Sequence, residues 1–314
     1  MAMNNNQDGE VIKNKYFVFS DVHGESEALQ TSLKEAGYDK YNPRHILVSL
    51  GDNFDRGTDS KGVCSILFHR QDTILVKGNH EGFLEEMLEK GIEGEFVLFN
   101  ILHNGLDKTL ESFSGCSIER IVSAADLNAM IDIARSNVRH YCGKGLLQKI
   151  KDMPLYYETK NYIFVHAGLE PDLPWQMSSQ DVMTWDIEYS HRPICSTTKT
   201  VVIGHNHAFR VRNKAKEEGY RESPLGLPWV GNTDENAPVR IGNKIAIDPC
   251  SNLTHKVNVL VIEDEPLEPE KTETQKETDN QVLFTEAKID GFDLPPYHTY
   301  TVNTGYTTRT YNVR

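Results

Sequence analysis

Five short apolar runs in this chain each lead directly into a cluster of oxygen-bearing and imidazole side chains. Phe17-Val18-Phe19 leads into Ser20-Asp21-Val22-His23-Gly24, and Leu47-Val48-Ser49-Leu50 into Gly51-Asp52-Asn53-Phe54-Asp55-Arg56-Gly57. Ile74-Leu75-Val76 is followed by Lys77-Gly78-Asn79-His80-Glu81, Ile163-Phe164-Val165 by His166-Ala167-Gly168, and Val201-Val202-Ile203 by Gly204-His205-Asn206-His207. Apolar runs this short, bounded by glycine and polar residues, read as buried strands. In an open α/β sheet the carboxyl ends of strands border the ligand crevice. The chain is therefore constrained to a fold in which these five strand ends can meet.

Between the first runs the periodicity becomes helical. Glu25 to Ala36 places Ala28, Leu29, Leu33 and Ala36 on one face, and Ser60 to His69 does the same with Val63, Ile66 and Leu67. The resulting βαβαβ order predicts an α/β fold with a largely parallel sheet carrying helices. Residues 81–151 read as a mostly helical insertion. Apolar runs at Tyr162–Val165, Val201–Ile203, Lys244–Ile247 and Lys256–Ile262 follow without long helices between the later ones and predict a second sheet. The charged, Gly- and Pro-rich stretch 213–240 reads as a long loop.

Composition bears on what surrounds this core. The 314 residues carry 33 basic and 46 acidic side chains, a net charge of −13, and −6 of it falls between Glu263 and Gln281. That segment holds Pro266, Pro269 and a single large apolar residue, Leu267, so it buries too little surface to offset its ordering entropy. The expected organisation is a disordered N-terminus (1–13), a globular domain (14–262), an acidic disordered linker (263–282) and a Tyr/Thr-rich tail (283–314). The tail could form an extended strand or dock on a partner. The acidic balance argues against bulk binding to nucleic acid or an anionic membrane surface. No apolar run approaches the roughly 18 residues that span a bilayer, and the Asn-rich start lacks the apolar core of a signal peptide. Five scattered cysteines (64, 116, 142, 195 and 250) read as the reduced thiols of a cytoplasmic protein.

The clusters share one chemistry. Asp, His and Asn are oxygen and imidazole donors, and none of the clusters contains cysteine, a set that suits Mn²⁺, Fe or Zn²⁺ rather than a thiolate structural zinc. A carboxylate such as Asp52 can bridge two cations. Two cations roughly 3.5–4 Å apart can clamp a phosphoryl group and acidify a water for in-line attack.

In order, the clusters match DxH, GDxxDRG, GNHE, H(A/G)G and GH, and over residues 14–262 the chain resembles the calcineurin-like metallophosphoesterases, in particular their phosphoprotein phosphatase branch. The resemblance implies an α/β/β/α sandwich of two mixed sheets flanked by helices. It implies two divalent metal ions, Mn²⁺ foremost, with Fe or Zn²⁺ as alternatives. Asp21, His23 and Asp52 would hold the first, and Asp52, Asn79, His166 and His205 the second. His80 would be the general acid, oriented by Asp55, and Arg56 would fork onto phosphate oxygens as lysine could not. Glu81 would orient its neighbours. In the wider superfamily a second histidine, here His207, completes the first metal site.

The chain departs from the branch pattern at two further places. Trp185 is followed by Asp186-Ile187, where many members carry a second phosphate-binding arginine, although Arg192, Arg210 and Arg212 are near in sequence. Ile247-Asp248-Pro249-Cys250 stands where bacterial and phage members often read Ile-Asp-x-Gly, a change expected to affect a turn. The activity implied is phosphomonoester hydrolysis, on phosphoserine or phosphothreonine in proteins or on a phosphorylated small molecule. The competing readings are hydrolysis of dinucleoside polyphosphates such as diadenosine tetraphosphate and, from another class, a non-catalytic scaffold on a phosphatase fold.

Overall fold

The computed structural model describes residues 13–70, 73–143 and 145–267, together with the backbone of 298–303 and 308–313. Residues 13–267 form one unit and the tail segments belong to another. In chain order the first unit runs β1 (Asn14–Phe19), α1 (Ser26–Glu35), β2 (His45–Ser49), α2 (Ser60–Leu67), β3 (Thr73–Leu75) and α3 (Asn79–Lys90). The insertion follows as α4 (Val97–His103), α5 (Leu106–Ser114), α6 (Ala124–Tyr141) and α7 (Leu146–Lys151). Then come β4 (Tyr156–Glu158), β5 (Tyr162–Val165), α8 (Gln180–Trp185), β6 (Thr200–Ile203) and α9 (Ala208–Glu217). The unit closes with β7 (Glu222–Ser223), β8 (Trp229–Val230), β9 (Val239–Ile241), β10 (Lys244–Ala246), α10 (Ser251–Thr254) and β11 (Val259–Asp264).

The strands make two mixed sheets, ordered β3-β2-β1-β11-β8 and β4-β5-β6-β10-β9-β7. β1, β2 and β3 are parallel, as are β5, β6 and β10, while β11, β8, β4, β9 and β7 pair antiparallel. Strand alternation explains the layering, because successive side chains point to opposite faces. Tyr16 and Val18 of β1, Val48 of β2 and Leu260 and Ile262 of β11 pack with Phe164, Val202 and Ile245 of the second sheet, forming a buried layer between the sheets. The intervening Phe17, Phe19, Leu47, Val259 and Val261 turn the other way, onto Leu29, Leu33, Val63, Leu67, Leu84 and Phe113 of the helices. On the second sheet, Ile163, Val165, Val201 and Ile203 meet Met183 of α8 and Val211 and Ala215 of α9. The architecture is the α/β/β/α sandwich expected, and parallel β1, β2 and β3 end on the same edge, as do β5, β6 and β10.

Three local expectations are corrected, and one strand is added. The stretch 213–240 is not a continuous loop: α9 extends through Glu217 because Ala208, Val211 and Ala215 form an apolar stripe, and β7, β8 and the start of β9 follow. β4, too short to show a period, flanks β5. β11 runs through Asp264, past the expected start of the acidic linker. The Asp264 carboxylate is buried and accepts from Thr159 Oγ1 (2.6 Å), Asn161 N (2.8 Å) and Asn161 Nδ2 (2.6 Å), and Pro266 bridges to Thr159. Side-chain hydrogen bonding, which hydropathy does not register, extends the domain to that point. Finally, the cysteines are not all free thiols: Cys64 of α2 and Cys142 at the end of α6 form a disulfide across 78 residues, a separation that carries no pairing signal.

Residues 1–12 and 268–297 lie outside the described residues, as do the proposed terminal disorder and most of the linker. In the tail, β12 (His298–Asn303) and β13 (Thr308–Val313) pair antiparallel with Tyr300 opposite Tyr311; the side chains on which a docking role rests are outside the description. Among the described residues no helix is long and apolar enough to cross a membrane.

Replacing Asp264 by alanine leaves three donors without this acceptor, one of them on the buried Thr159. The expected loss is about 1–3 kcal/mol of unfolding free energy, read as a lower urea midpoint with unchanged m-value.

Candidate metal centre

All five sequence clusters converge on one edge of the sandwich. Asp21 and His23 follow β1, Asp52 to Arg56 follow β2, Asn79, His80 and Glu81 open α3, His166 follows β5, and His205 and His207 follow β6. The backbone there is unusual. Eight described non-glycine residues have positive φ, and six are site residues: Asp21 (52°), His23 (45°), Asp52 (54°), Asp55 (70°), Arg56 (64°) and His205 (61°). Each left-handed residue costs roughly 1–2 kcal/mol relative to a right-handed one, so surrounding contacts must hold it. Two glycines permit the close approach. A Cβ on Gly204 would collide with the Asp21 carboxylate, and one on Gly78 with Asp52 Oδ1.

Asp52 is the centre. Its Oδ1 accepts the His80 N–H (3.0 Å) and lies 3.4 Å from His166 Nε2, while Oδ2 lies 3.9 Å from His23 Nε2 and 3.8 Å from His80 Nε2. Glu81 holds it in place: the fully buried carboxylate accepts from the backbone N–H groups of Asp52 (2.8 Å), Asn53 (3.0 Å) and Gly78 (2.9 Å), and from Asn53 Nδ2 (3.0 Å). Two sets of donor atoms form around Asp52, each within 4.8 Å of one another: His23, Asp52 and His80, and Asp52, His166 and His205.

The tautomers agree with cation binding. His23 Nδ1 faces the Phe54 carbonyl at 2.8 Å and His166 Nδ1 the Leu50 carbonyl at 2.8 Å. A carbonyl can only accept, so both Nδ1 atoms carry the proton and both Nε2 lone pairs face the centre. The Asn79 amide oxygen position lies 3.1 Å from His166 Nε2, 3.2 Å from His205 Nδ1, and 3.3 and 3.2 Å from the two Asp52 oxygens. An oxygen among four acceptors is repelled unless a cation lies among them; without one, the amide turns over and donates. The residues present fit two divalent cations sharing Asp52.

The electrostatics lead to the same conclusion. Burial, followed by the charges of Asp21 and Glu81, pushes the Asp52 carboxyl well above its usual range. Burial likewise drives the imidazoles of His23 and His80 well down, and that of His205 to about 2. Burial makes the ionised carboxylate and any charged imidazole costly, and bound cations would offset the carboxylate charge while leaving the rings neutral.

His80 Nδ1 lies 2.7 Å from Asp55 Oδ2, and its Nε2 is 2.9 Å from an Arg56 nitrogen. The other guanidinium nitrogen of Arg56 reaches His23 Nε2 at 2.9 Å. Arg56 is exposed and spans the mouth of the site.

Besides the Asn79 amide, two predicted ligands stand outside both donor sets. Asp21 is buried beside them, with Oδ2 accepting from Ser20 Oγ and from the His205 N–H (2.9 Å). His207 faces Asp248 Oδ2 at 3.9 Å, and its buried Nδ1 has no partner among the described residues. Asp248 was missed as a site residue. It is buried, and burial and then the neighbouring Asp21 charge raise its carboxyl well above the usual range. The available signal was its position, just past the end of β10, like the other clusters. In the turn after it Cys250 adopts φ 57°, a left-handed conformation that glycine reaches without strain. Of the arginines near in sequence, Arg192 pairs with Glu218 (3.1 Å) and Arg212 with Glu222 (3.0 Å), while Arg210 lies against the ring of Phe209 (5.7 Å).

A family model for calcineurin-like phosphoesterases matches residues 15–209. Serine/threonine-protein phosphatase 2 of Escherichia coli K12 is 39% identical over 75 residues, covering 24% of this chain and 33% of that protein. Serine/threonine-protein phosphatase 1 of Salmonella typhimurium LT2 is 40% identical over 65 residues, covering 21% and 29%. The chain thus matches about a third of the length of these curated relatives. A solved structure described provisionally as a diadenosine tetraphosphatase is similar across 82% of this chain and 95% of its own, with 17% identity and a TM-score of 0.45. At those values it does not bear on the choice of substrate.

Asp55 supplies a pH test. Burial raises its carboxyl to about 7, against the opposing effects of Thr109 and Arg56. An unfolded aspartate titrates near 4, so the folded chain binds the extra proton between these values. The stability contributed by the group is full below pH ~4 and is lost as pH rises through about 7. Asp55→Asn is therefore expected to melt higher than the parent at pH 8 in chelator, with the gap closing towards pH 5.

Proposed function

This chain belongs to the calcineurin-like phosphoesterase family, and from that premise we propose that it hydrolyses phosphoserine and phosphothreonine esters on proteins. The observation that carries the reading is Asp52 shared between two donor sets, with the His80–Asp55 pair and Arg56 beside it. In this reading Asp21, His23 and Asp52 hold one divalent cation, with His207 beside them, and Asp52, Asn79, His166 and His205 hold the other; manganese is the proposed metal. When bound, the cations supply Lewis acidity at the phosphoryl oxygens and a water of lowered pKa. Arg56 forks onto the remaining phosphoryl oxygens with the two nitrogens that reach His23 and His80 here. Once Arg56 turns from His80 Nε2 onto the phosphate, Nε2 would take up a proton from the attacking water and give it to the departing alkoxide, while the Asp55 carboxylate, accepting from Nδ1–H, favours the protonated ring.

A groove of about 570 Å³ favours a peptide over a dinucleotide. It opens beside Asn79 and is walled by Phe83, Phe96, Phe99 and Trp185. The Phe83 ring stands 4.7 Å from His80 and 5.8 Å from Trp185, whose ring is 6.0 Å from His205. Its lysines are already engaged, Lys77 with Glu85 (2.6 Å) and Lys90 with Glu86 (3.5 Å), and Glu89 adds a further acid. An aromatic wall without spare positive charge suits apolar side chains flanking a single phosphate better than a polyphosphate chain.

Side-by-side turnover of a phosphoserine peptide and diadenosine tetraphosphate with Mn²⁺ tests the substrate; preference for the dinucleotide would overturn it. His80→Asn is expected to lower kcat by about 10²–10⁴-fold with KM little changed. Exhaustive chelation should abolish turnover and Mn²⁺ restore it, with metal analysis finding two cations per chain; absence of bound metal would favour a scaffold.

A further inference from the structure

The helical insertion reaches the catalytic loop at two points. Thr109 of α5 is fully buried and makes a two-sided contact with Asp55: its Oγ1 accepts the Asp55 N–H at 2.8 Å and lies 2.6 Å from Asp55 Oδ1. Ser60 Oγ, at the start of α2, is a third neighbour at 3.1 Å. A hydroxyl has one proton. The Asp55 amide can only donate, so the Thr109 proton goes to Asp55 Oδ1, leaving Oδ2 for His80 Nδ1. One residue along, the Arg56 N–H donates to the Gly105 carbonyl at 2.9 Å, in the turn that opens α5. Gly105 has φ 84°, and a Cβ there would lie 2.6 Å from Arg56 N. Asp55 and Arg56 are consecutive left-handed residues, φ 70° and 64°, a conformation that persists only where the surroundings over-determine it.

We propose that the helical insertion acts as a clamp on the Asp55–Arg56 pair, with Thr109 a positioning residue for His80 and Gly105 one for Arg56. The proposal rests on the reading of His80 as general acid. It assigns Thr109 and Gly105 a part in the chemistry although neither is expected to touch substrate. Loss of the Thr109 hydroxyl frees Asp55 to rotate, and the imidazole it holds is no longer aimed at the leaving oxygen.

Phenyl phosphate and p-nitrophenyl phosphate, assayed with Mn²⁺, separate aim from general integrity, because nitrophenolate departs with less help from an acid. Thr109→Val is expected to lower kcat on phenyl phosphate about tenfold and on p-nitrophenyl phosphate by less than about threefold, with little change in KM. Thr109→Ser should restore most of the loss, and Thr109→Val should add nothing in a His80→Asn background. Equal losses on both substrates, no loss, or a loss that persists without His80 would overturn the proposal while leaving the His80 reading in place. If His80→Asn itself retains full turnover, that reading fails and the clamp fails with it. Should Thr109→Val not fold, Gly105→Ala carries the test through Arg56. Inhibition by inorganic phosphate is expected to weaken about threefold or more, roughly the loss of one charge-assisted contact, and unchanged inhibition would overturn the clamp.

Discussion

The centre depends on the carboxylate of Glu81. Fully buried, it accepts four N–H donors and ties the loop after β2 to the turn that opens α3. A buried carboxylate without partners would be costly; with four donors it becomes a fixed acceptor that determines where both loops run. Asp52 is held in its left-handed conformation by this contact, and Asp52 Oδ1 in turn accepts the His80 N–H. The bridge and the acid are thus positioned by one side chain that belongs to neither role.

The same trade recurs around the site. Six left-handed residues, a carboxylate pushed up by burial and imidazoles pushed down are each unfavourable in the isolated fold. They persist because the loops are anchored from outside, by Glu81 between the first strands and by Thr109 and Gly105 from the insertion. Bound cations would relieve the electrostatic part, since they favour the ionised carboxylate and the neutral ring. Catalytic geometry here is held at the expense of local stability, as in many active sites.

Legibility followed the physics of each element. Strands with apolar alternation, such as β1 and β5, and helices with a clear stripe, such as α2, could be read directly. β4 and β8 could not, because strands of two or three residues carry no period, and α9 was not read because its lysines mask the stripe of Ala208, Val211 and Ala215. The end of the domain was placed too early because Asp264 is held by hydrogen bonds rather than by burial of apolar surface. In the site, the ordered clusters named the residues that gather around Asp52, whereas Asp248 was read only as part of a turn and Thr109 went unremarked. A threonine outside a cluster has no signal until folding brings it to a partner 54 residues away, as with Thr109 and Asp55.

By itself, the sequence determined the donor chemistry and its delivery to strand ends, because apolar runs and the polar residues that break them are local properties. It also determined the architecture, since βαβ order and strand alternation allow few arrangements. Only the tertiary structure decided which nitrogen of each histidine faces inward, which carbonyl fixes it, and which distant hydroxyl or carboxylate holds the loops. Those are contacts between segments, created by side-chain direction and close approach rather than by spacing along the chain.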